Sequence, residues 1–502
     1  MKDEKKIGAI LGYLYTALQS IISIVYIPIL LNGIGKSEYG LYQIVGSVIA
    51  YFSAMEGPLC ASILKFYVEY KVKKDEKNME NVLAIGQRIF FMLSLAMLLI
   101  TVPAIFLLNG LYSSTLTDSE LREAVLMLCI MVINIIIYLN NYVYLAVING
   151  NEKFVFLKLT SIATLIVQPI LVILVIQHFQ YAFVIVAVQC LMNIIMAYVR
   201  QYYAKRILKC SIKYHGFDKV LFKSMMTLTF ANFGVALADQ IFWKTDQLIL
   251  GSIYGPEVVS EYSIGSQLNA MYISVACVLG GVILPTITKI LVHGSSDDLS
   301  YYFSKVGRYQ SFLVVLVLFG VVSFGKEFIF LLAGDGFEIS FVVALLLMVP
   351  YSIDLIQICG ATIMQAKNQY SYRANFMIIA AFFNVGLTLL WIKIVGPIGA
   401  ALSTGLVIFL GNGVYLNYIY YKKFGLNIMF FFRSIYKIWI VGLFMIPVSF
   451  FINKIDVSNI YMNFILHILI FTFVYLFFIY RFTLYDTEKK QIHLFLTKFC
   501  SK

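Results

Sequence analysis

Apolar and polar positions alternate along this chain on the scale of a bilayer rather than of a strand or a surface helix. About fourteen apolar stretches, at approximately 7–31, 39–68, 82–108, 122–148, 154–177, 181–205, 222–252, 257–291, 306–333, 338–365, 371–394, 396–421, 434–453 and 459–482, are each roughly long enough to cross the hydrocarbon layer as a helix. Hydrocarbon offers the backbone no partner, so a spanning segment must be a helix or a strand of a closed barrel. Barrel strands would alternate apolar and polar over about ten residues, and these stretches do not. The pattern predicts an all-α, polytopic membrane protein.

The first twelve stretches form two related sets of six, separated by about 218 positions. Landmarks recur in the same order. Gly35-Lys36-Ser37-Glu38-Tyr39-Gly40-Leu41-Tyr42 follows the first stretch, and Gly255-Pro256-Glu257 with Glu261-Tyr262 follows the seventh. Asn149-Gly150-Asn151-Glu152-Lys153 lies between the fourth and fifth, and Ala366-Lys367-Asn368-Gln369-Tyr370 between the tenth and eleventh. The sixth and twelfth both end in a Tyr-rich basic turn, at Arg200–Lys205 and Tyr418–Lys423. Six is even, so both halves start on the same side of the membrane and the repeats are parallel. The expected organisation is an N-terminal six-helix lobe (1–206), a cytoplasmic linker (207–221), a C-terminal six-helix lobe (222–423), and two extra helices with a cytoplasmic tail (424–502). A duplicated membrane bundle of this kind usually carries its substrate near the midplane, between the halves.

Charge orients the bundle. Lys2, Lys5 and Lys6, then Lys71, Lys73, Lys74 and Lys77, Lys153 and Lys158, the run from Arg200 to Lys223, Lys289, Lys305 and Arg308, Lys367 and Arg373, and Lys422, Lys423 and Arg433 fall in alternate loops. Only about five cations (Lys36, Arg122, Lys326, Lys393, Lys454) fall on the opposite side, so both termini are expected in the cytoplasm. The net charge of +12 is therefore read as topology and attraction to anionic membrane lipid, not as a nucleic-acid footprint. Composition agrees: 61% apolar and 13% charged, against about 45–50% and 25% in soluble chains. No polar stretch leaves room for a soluble domain. The apolar run from Ile7 lacks a small-residue cleavage site and reads as a first span. The 7 cysteines are scattered, with no metal-ligand spacing, so neither a metal nor a cofactor is expected.

The segments NGIGKSEYGLYQIVGSVIAYFSAMEGPLCASILKFYVEY and WKTDQLILGSIYGPEVVSEYSIGSQL resemble the polysaccharide biosynthesis transporters. These are Wzx-type flippases of lipid-linked oligosaccharides, in the MOP superfamily that also holds the MATE drug exporters and the lipid II flippase. The resemblance covers nearly the whole chain in topology. It implies a bacterial cytoplasmic-membrane flippase, not an enzyme, that moves an undecaprenyl-diphosphate-linked oligosaccharide from the inner to the outer leaflet by alternating access. Its product would serve cell-surface polysaccharide such as lipopolysaccharide or capsule, beside a polysaccharide polymerase machinery. A cation-coupled multidrug exporter of the MATE type and a peptidoglycan-precursor flippase are the alternative readings.

Ionisable groups deep in a span are costly and so are candidates for function. Glu56 stands beside Gly57-Pro58 in the second stretch, Asp239, Lys244 and Asp246 stand in the seventh, and Asp354 in the tenth. On a helix Asp239, Trp243 and Asp246 share one face, with Gln240, Lys244 and Gln247 adjacent. Such a stripe is unfavourable against lipid and is expected to line a cavity; internal neutralisation of Lys244 by Asp239 or Asp246, or snorkelling, is the competing account. A diphosphate carrier needs cations along its route, and Lys244, Lys65, Arg88 and Arg373 are the candidates, each of the last three also placed as an interfacial anchor. Trp243, Tyr42 and Tyr262 are candidates for stacking on sugar rings. Glu56, Asp239, Asp246 and Asp354 are candidates for coupling to a proton or sodium ion. Gly320 to Lys326 nearly matches a phosphate-binding loop, but Glu327 replaces the metal-binding hydroxyl within an apolar span, so the match is spurious.

Overall fold

The computed structural model describes residues 2–277 and 283–490. Residues 278–282, in the eighth expected span, and 491–502, in the expected tail, lie outside the described residues, as do the Lys2, Lys5 and Lys6 side chains of the N-terminal basic cluster. Among the described residues every regular element is a helix. Twelve helical runs among the described residues are long and apolar enough to cross a membrane. One of them, Ile7–Val72, is 66 residues long and holds the first two expected spans, while the eighth is represented by shorter helices on either side of 278–282. Phe106, Ile394 and Phe473 are 73%, 77% and 74% exposed, which is favourable only where lipid replaces water. The chain is a multi-pass, all-α membrane protein.

Two compact units emerge. The first comprises 1–263 and 377–389, the second 264–376 and 390–502. In the first unit run α1 (Lys2–Ser53), α2 (Glu56–Val72), α3 (Glu76–Tyr112), α4 (Asp118–Gly150), α5 (Phe154–Ile176), α6 (Ala182–Tyr202), α7 (Lys219–Tyr254) and the start of α8 (Pro256–Cys277). Its core gathers Leu59 and Ile63 of α2, Leu83 and Phe90 of α3, and Leu139 and Val143 of α4, all essentially fully buried. Thr117 and Glu120 form a capping box that opens α4, and the Asp218 carboxylate caps α7 through Val220 N and Leu221 N, which satisfies amide donors that lack helical partners.

In the second unit follow α9 (Leu284–His293), α10 (Ser296–Ala333), α11 (Glu338–Ile356), α12 (Ile358–Ala366), α13 (Ser371–Val395), α14 (Ile398–Ile408), α15 (Leu416–Phe424), α16 (Ile428–Ile452) and α17 (Ile460–Phe478), with residues 377–389 of α13 assigned to the first unit. Phe303 of α10 stacks on Phe431 of α16 at 4.6 Å between ring centres. The buried Arg308 of α10 donates from Nε to Glu488 Oε1 at 2.9 Å and from Nη1 to the Ser434 carbonyl at 2.6 Å, and its Nη2 also reaches Thr483 O. This clasp holds the segment beyond α17 against α10 and α16.

Two expected continuous spans are interrupted. The second span breaks between Ser53 and Glu56, just ahead of Gly57-Pro58, and the tenth breaks at Gln357, between α11 and α12. Proline removes a helical donor and disfavours helix before it, which accounts for the first break. The duplication, in turn, is written in the backbone. Gly35 (φ +84°) and Gly255 (φ +82°) both adopt the left-handed half of backbone space, as do Glu152 (φ +57°) with Asn368 (φ +53°) and Lys209 (φ +50°) with Gly425 (φ +67°). Each pair is separated by close to the sequence offset. The turn after α4 closes with Lys153 N donating to Ile148 O at 3.2 Å, and the turn after α12 with Gln369 N donating to Met364 O at 2.8 Å, the same five-residue step in each.

Candidate functional site

The polar stripe of α7 divides into two parts with different fates. Asp246 and Gln247 are buried. Asp246 Oδ2 accepts from the Tyr262 hydroxyl at 2.7 Å and Oδ1 from the Thr388 hydroxyl at 3.0 Å. Gln247 Nε2 donates to Ser263 Oγ at 3.1 Å while its Oε1 accepts from Ser47. The neighbouring Thr245 hydroxyl lies 2.5 Å from that of Tyr51. Polar groups in a spanning helix must be satisfied within the protein, and here α1, α8 and α13 supply the partners. Tyr262, expected to stack on a sugar, is buried and donates its hydroxyl to Asp246. At the end of the same packing layer Lys36 Nζ meets Glu261 Oε1 at 2.8 Å.

Lys244 stands apart. It is half-buried, and among the described residues it has neither a hydrogen bond nor an ion pair. Asp239 is exposed and accepts from Trp243 one turn later, so neither candidate carboxylate neutralises the lysine. Trp243 also meets Phe242 edge-on at 5.2 Å.

A second polar site lies within the first unit, where α1 and α2 meet α4 and α6. Tyr42, Gly46, Ser53, Glu56, Asn134 and Tyr138, with Gln189 and Asn193, surround a cavity of about 430 Å³. Ile49, Met131 and Ile135 complete its wall. Glu56, the first residue of α2, accepts from the Tyr142 hydroxyl at 3.0 Å, and Asn193 Nδ2 donates to Asn134 Oδ1 at 2.9 Å. Of this lining the sequence reading singled out Tyr42 and Glu56. It missed the amides, whose signal was present: Asn134 and Tyr138 are four residues apart on α4, Gln189 and Asn193 four apart on α6, so each pair shares a helix face. Neutral amides do not stand out when ionisable groups are sought.

The remaining candidates are dispersed. Asp354, in the last turn of α11, and Arg373, in the first turn of α13, pair with each other through Nη1–Oδ1 and Nη2–Oδ2 contacts of 2.9 and 2.8 Å. Lys65 is exposed, with its ammonium 5.4 Å from the Phe66 ring centre. Arg88 lies over the Tyr214 ring at 3.4 Å and so holds the linker against α3. Close by, His215 Nε2 lies 2.7 Å from Glu80 Oε2, and Asn81 Nδ2 donates to Gly216 O at 3.1 Å. Among the described residues no group of three or more His, Cys, Asp or Glu converges as metal ligands would.

Comparison with known proteins bears on the same architecture. A family model described as "Polysaccharide biosynthesis protein" matches residues 7–291. A comparison with curated protein sequences finds no match. Among solved structures, the lipid II flippase MurJ in an inward closed conformation is similar at a TM-score of 0.73 and 18% identity, covering 94% of this chain and 97% of that one. An inward-facing multidrug resistance MATE family transporter of the MOP superfamily is similar at 0.62 and 12%, covering 80% and 93%. A MOP superfamily transporter from Pyrococcus furiosus is similar at 0.52 and 12%, covering 82% and 92%. At these identities the likeness is one of fold.

Proposed function

The chain belongs to the polysaccharide biosynthesis protein family, and from that premise we propose that it is a flippase carrying an undecaprenyl-diphosphate-linked oligosaccharide from the inner to the outer leaflet of a bacterial cytoplasmic membrane, with alternating access to the two sides and both termini in the cytoplasm. The observation that carries this reading is Lys244. A lysine partly withdrawn from solvent within a spanning helix, with no ion partner among the described residues, is costly unless an anion answers it. A lipid diphosphate is such an anion, and it offers charge-assisted hydrogen bonds of the strong kind. An exporter of cationic drugs would need free carboxylates, yet Asp246 is engaged by Tyr262 and Thr388 and Asp354 by Arg373.

The peptidoglycan-precursor reading is favoured by the likeness to the lipid II flippase and shares the diphosphate chemistry. Complementation of a strain depleted of its own precursor flippase separates the two: rescue supports that reading, and failure to rescue the oligosaccharide reading. The primary test is translocation of lipid-linked oligosaccharide by purified protein in liposomes. Lys244→Met should slow it by about ten- to a hundredfold, the scale of one lost charge-assisted contact, and Lys244→Arg should retain much of it. Wild-type rates in Lys244→Met, or export of cationic dyes without glycan translocation, would overturn the proposal. The driving force would be an ion gradient, the membrane potential or mass action on the substrate.

A further inference from the structure

We propose that the cavity within the first unit is a saccharide subsite, which binds uncharged sugar rings of the carried glycan through their hydroxyls. It deepens the flippase reading by giving the sugar its own place, separate from Lys244. The cavity wall carries unmet hydrogen-bonding capacity. Among the described residues, no hydrogen bond reaches either end of the Gln189 amide, or the hydroxyls of Tyr42 and Tyr138, although all three face the cavity. The Asn193–Asn134 bond uses one donor and one acceptor and leaves Asn193 Oδ1 and Asn134 Nδ2 for an occupant. Open donors and acceptors facing a cavity in a membrane bundle call for a polar occupant, water or a ligand that brings its own donors and acceptors. Something polar must satisfy them.

The chemistry of the lining selects what that is. A metal or alkali cation prefers converging oxygen ligands with negative charge; here the single carboxylate, Glu56, already accepts from Tyr142, and the rest of the polar lining is neutral. A phosphate would want cations, and none lines the cavity. Sugar hydroxyls both donate and accept, as do amides and phenols, and the apolar face of a sugar ring suits the Tyr42 and Tyr138 rings. The edge-on contact of Tyr138 with Tyr142, 4.9 Å between centres, holds the Tyr138 ring in place. The volume, about 430 Å³, falls in the roughly 300–1,000 Å³ range of small-molecule sites.

Gly46 provides a clean probe. A Cβ built there meets nothing within 4 Å, so a larger side chain would enter the cavity rather than the protein, and replacing a helical glycine favours the helix. The test is saturation-transfer NMR on detergent-solubilised full-length protein, with glucose, galactose, rhamnose, N-acetylglucosamine and N-acetylgalactosamine as free probes. At least one should give transfer in wild type that falls about tenfold or more in Gly46→Leu and in Gln189→Leu, while Lys244→Met leaves it unchanged. In liposomes, Gly46→Leu should also raise the concentration of lipid-linked glycan needed for half-maximal flipping. No transfer from any probe, transfer insensitive to both substitutions, or specific sodium-22 binding that Glu56→Gln abolishes while the sugar signals stay absent, would overturn the proposal. Sugar transfer lost in Gly46→Leu, with no translocation of lipid-linked glycan by wild type, would uphold the subsite while sinking the flippase reading; translocation insensitive to Gly46→Leu would do the reverse.

Discussion

Asp354 and Arg373 form a two-pronged ion pair, 2.8 and 2.9 Å across, that ties the last turn of α11 to the first turn of α13. Two charges that sequence alone offered as separate agents, one for ion coupling and one for diphosphate, are each other's partner. Their side chains are only 11% and 16% exposed, so removal of one strands the other. Arg373→Met should therefore destabilise the protein by about 3–5 kcal/mol, and the double variant Asp354→Leu/Arg373→Met should recover most of that. Fluorescence-detected melting in detergent reads both; a double variant no more stable than the single one would show that the pair is not coupled.

Gly40 lies in α1, five residues past the non-helical Gly35 (φ +84°), where the helix meets the start of α8. A Cβ at Gly40 would collide with the Pro256 carbonyl group, a backbone atom that cannot rotate away. Gly40→Ala should cost about 1–3 kcal/mol through overpacking, seen as a lowered melting temperature and yield. Gly46→Ala, six residues on in the same helix and facing open space, should be neutral or stabilising. Equal effects at the two glycines would contradict this account of their roles.

The clasp around Arg308 makes a third expectation. Glu488 is its counter-charge, and Glu488 Oε2 also accepts from Tyr485 N at 2.8 Å. Glu488→Ala should leave a buried guanidinium with carbonyl partners only and free the segment beyond α17. Trypsin should then cut after Arg481 or Lys489 at least about tenfold faster, since cleavage follows the population of the released form, while Glu488→Gln should fall in between.

Cys210 reports on the linker. Burial, with Glu80 nearby, pushes its thiol up to about 11. A raised value means less thiolate at neutral pH, so iodoacetamide should react slowly at pH 7 and about tenfold faster for each pH unit gained until the thiol titrates. Arg88→Ala removes the contact over Tyr214 that holds the linker on α3 and should bring the reactivity toward that of an ordinary thiol. Fast labelling of the wild type at pH 7 would mean that the linker is not packed as described.

Membrane architecture was legible because hydrocarbon imposes a single coarse rule: an apolar run of sufficient length must close its own backbone hydrogen bonds. Length and composition therefore carried the all-α multi-pass fold, and the repeated turns, later matched by left-handed residues at Glu152 and Asn368, carried the duplication. Ionisable residues in the spans were equally visible, since each is conspicuous in an apolar background. Their partners were not. Whether Asp246 would serve Lys244 or Tyr262, whether Arg373 would face a substrate or Asp354, and whether Asn134 and Gln189 would line one cavity depended on which helix faces meet across gaps of tens to hundreds of residues. Helical periodicity assigns a residue to a face of its own helix. Only the packing of one helix against another decides what that face meets.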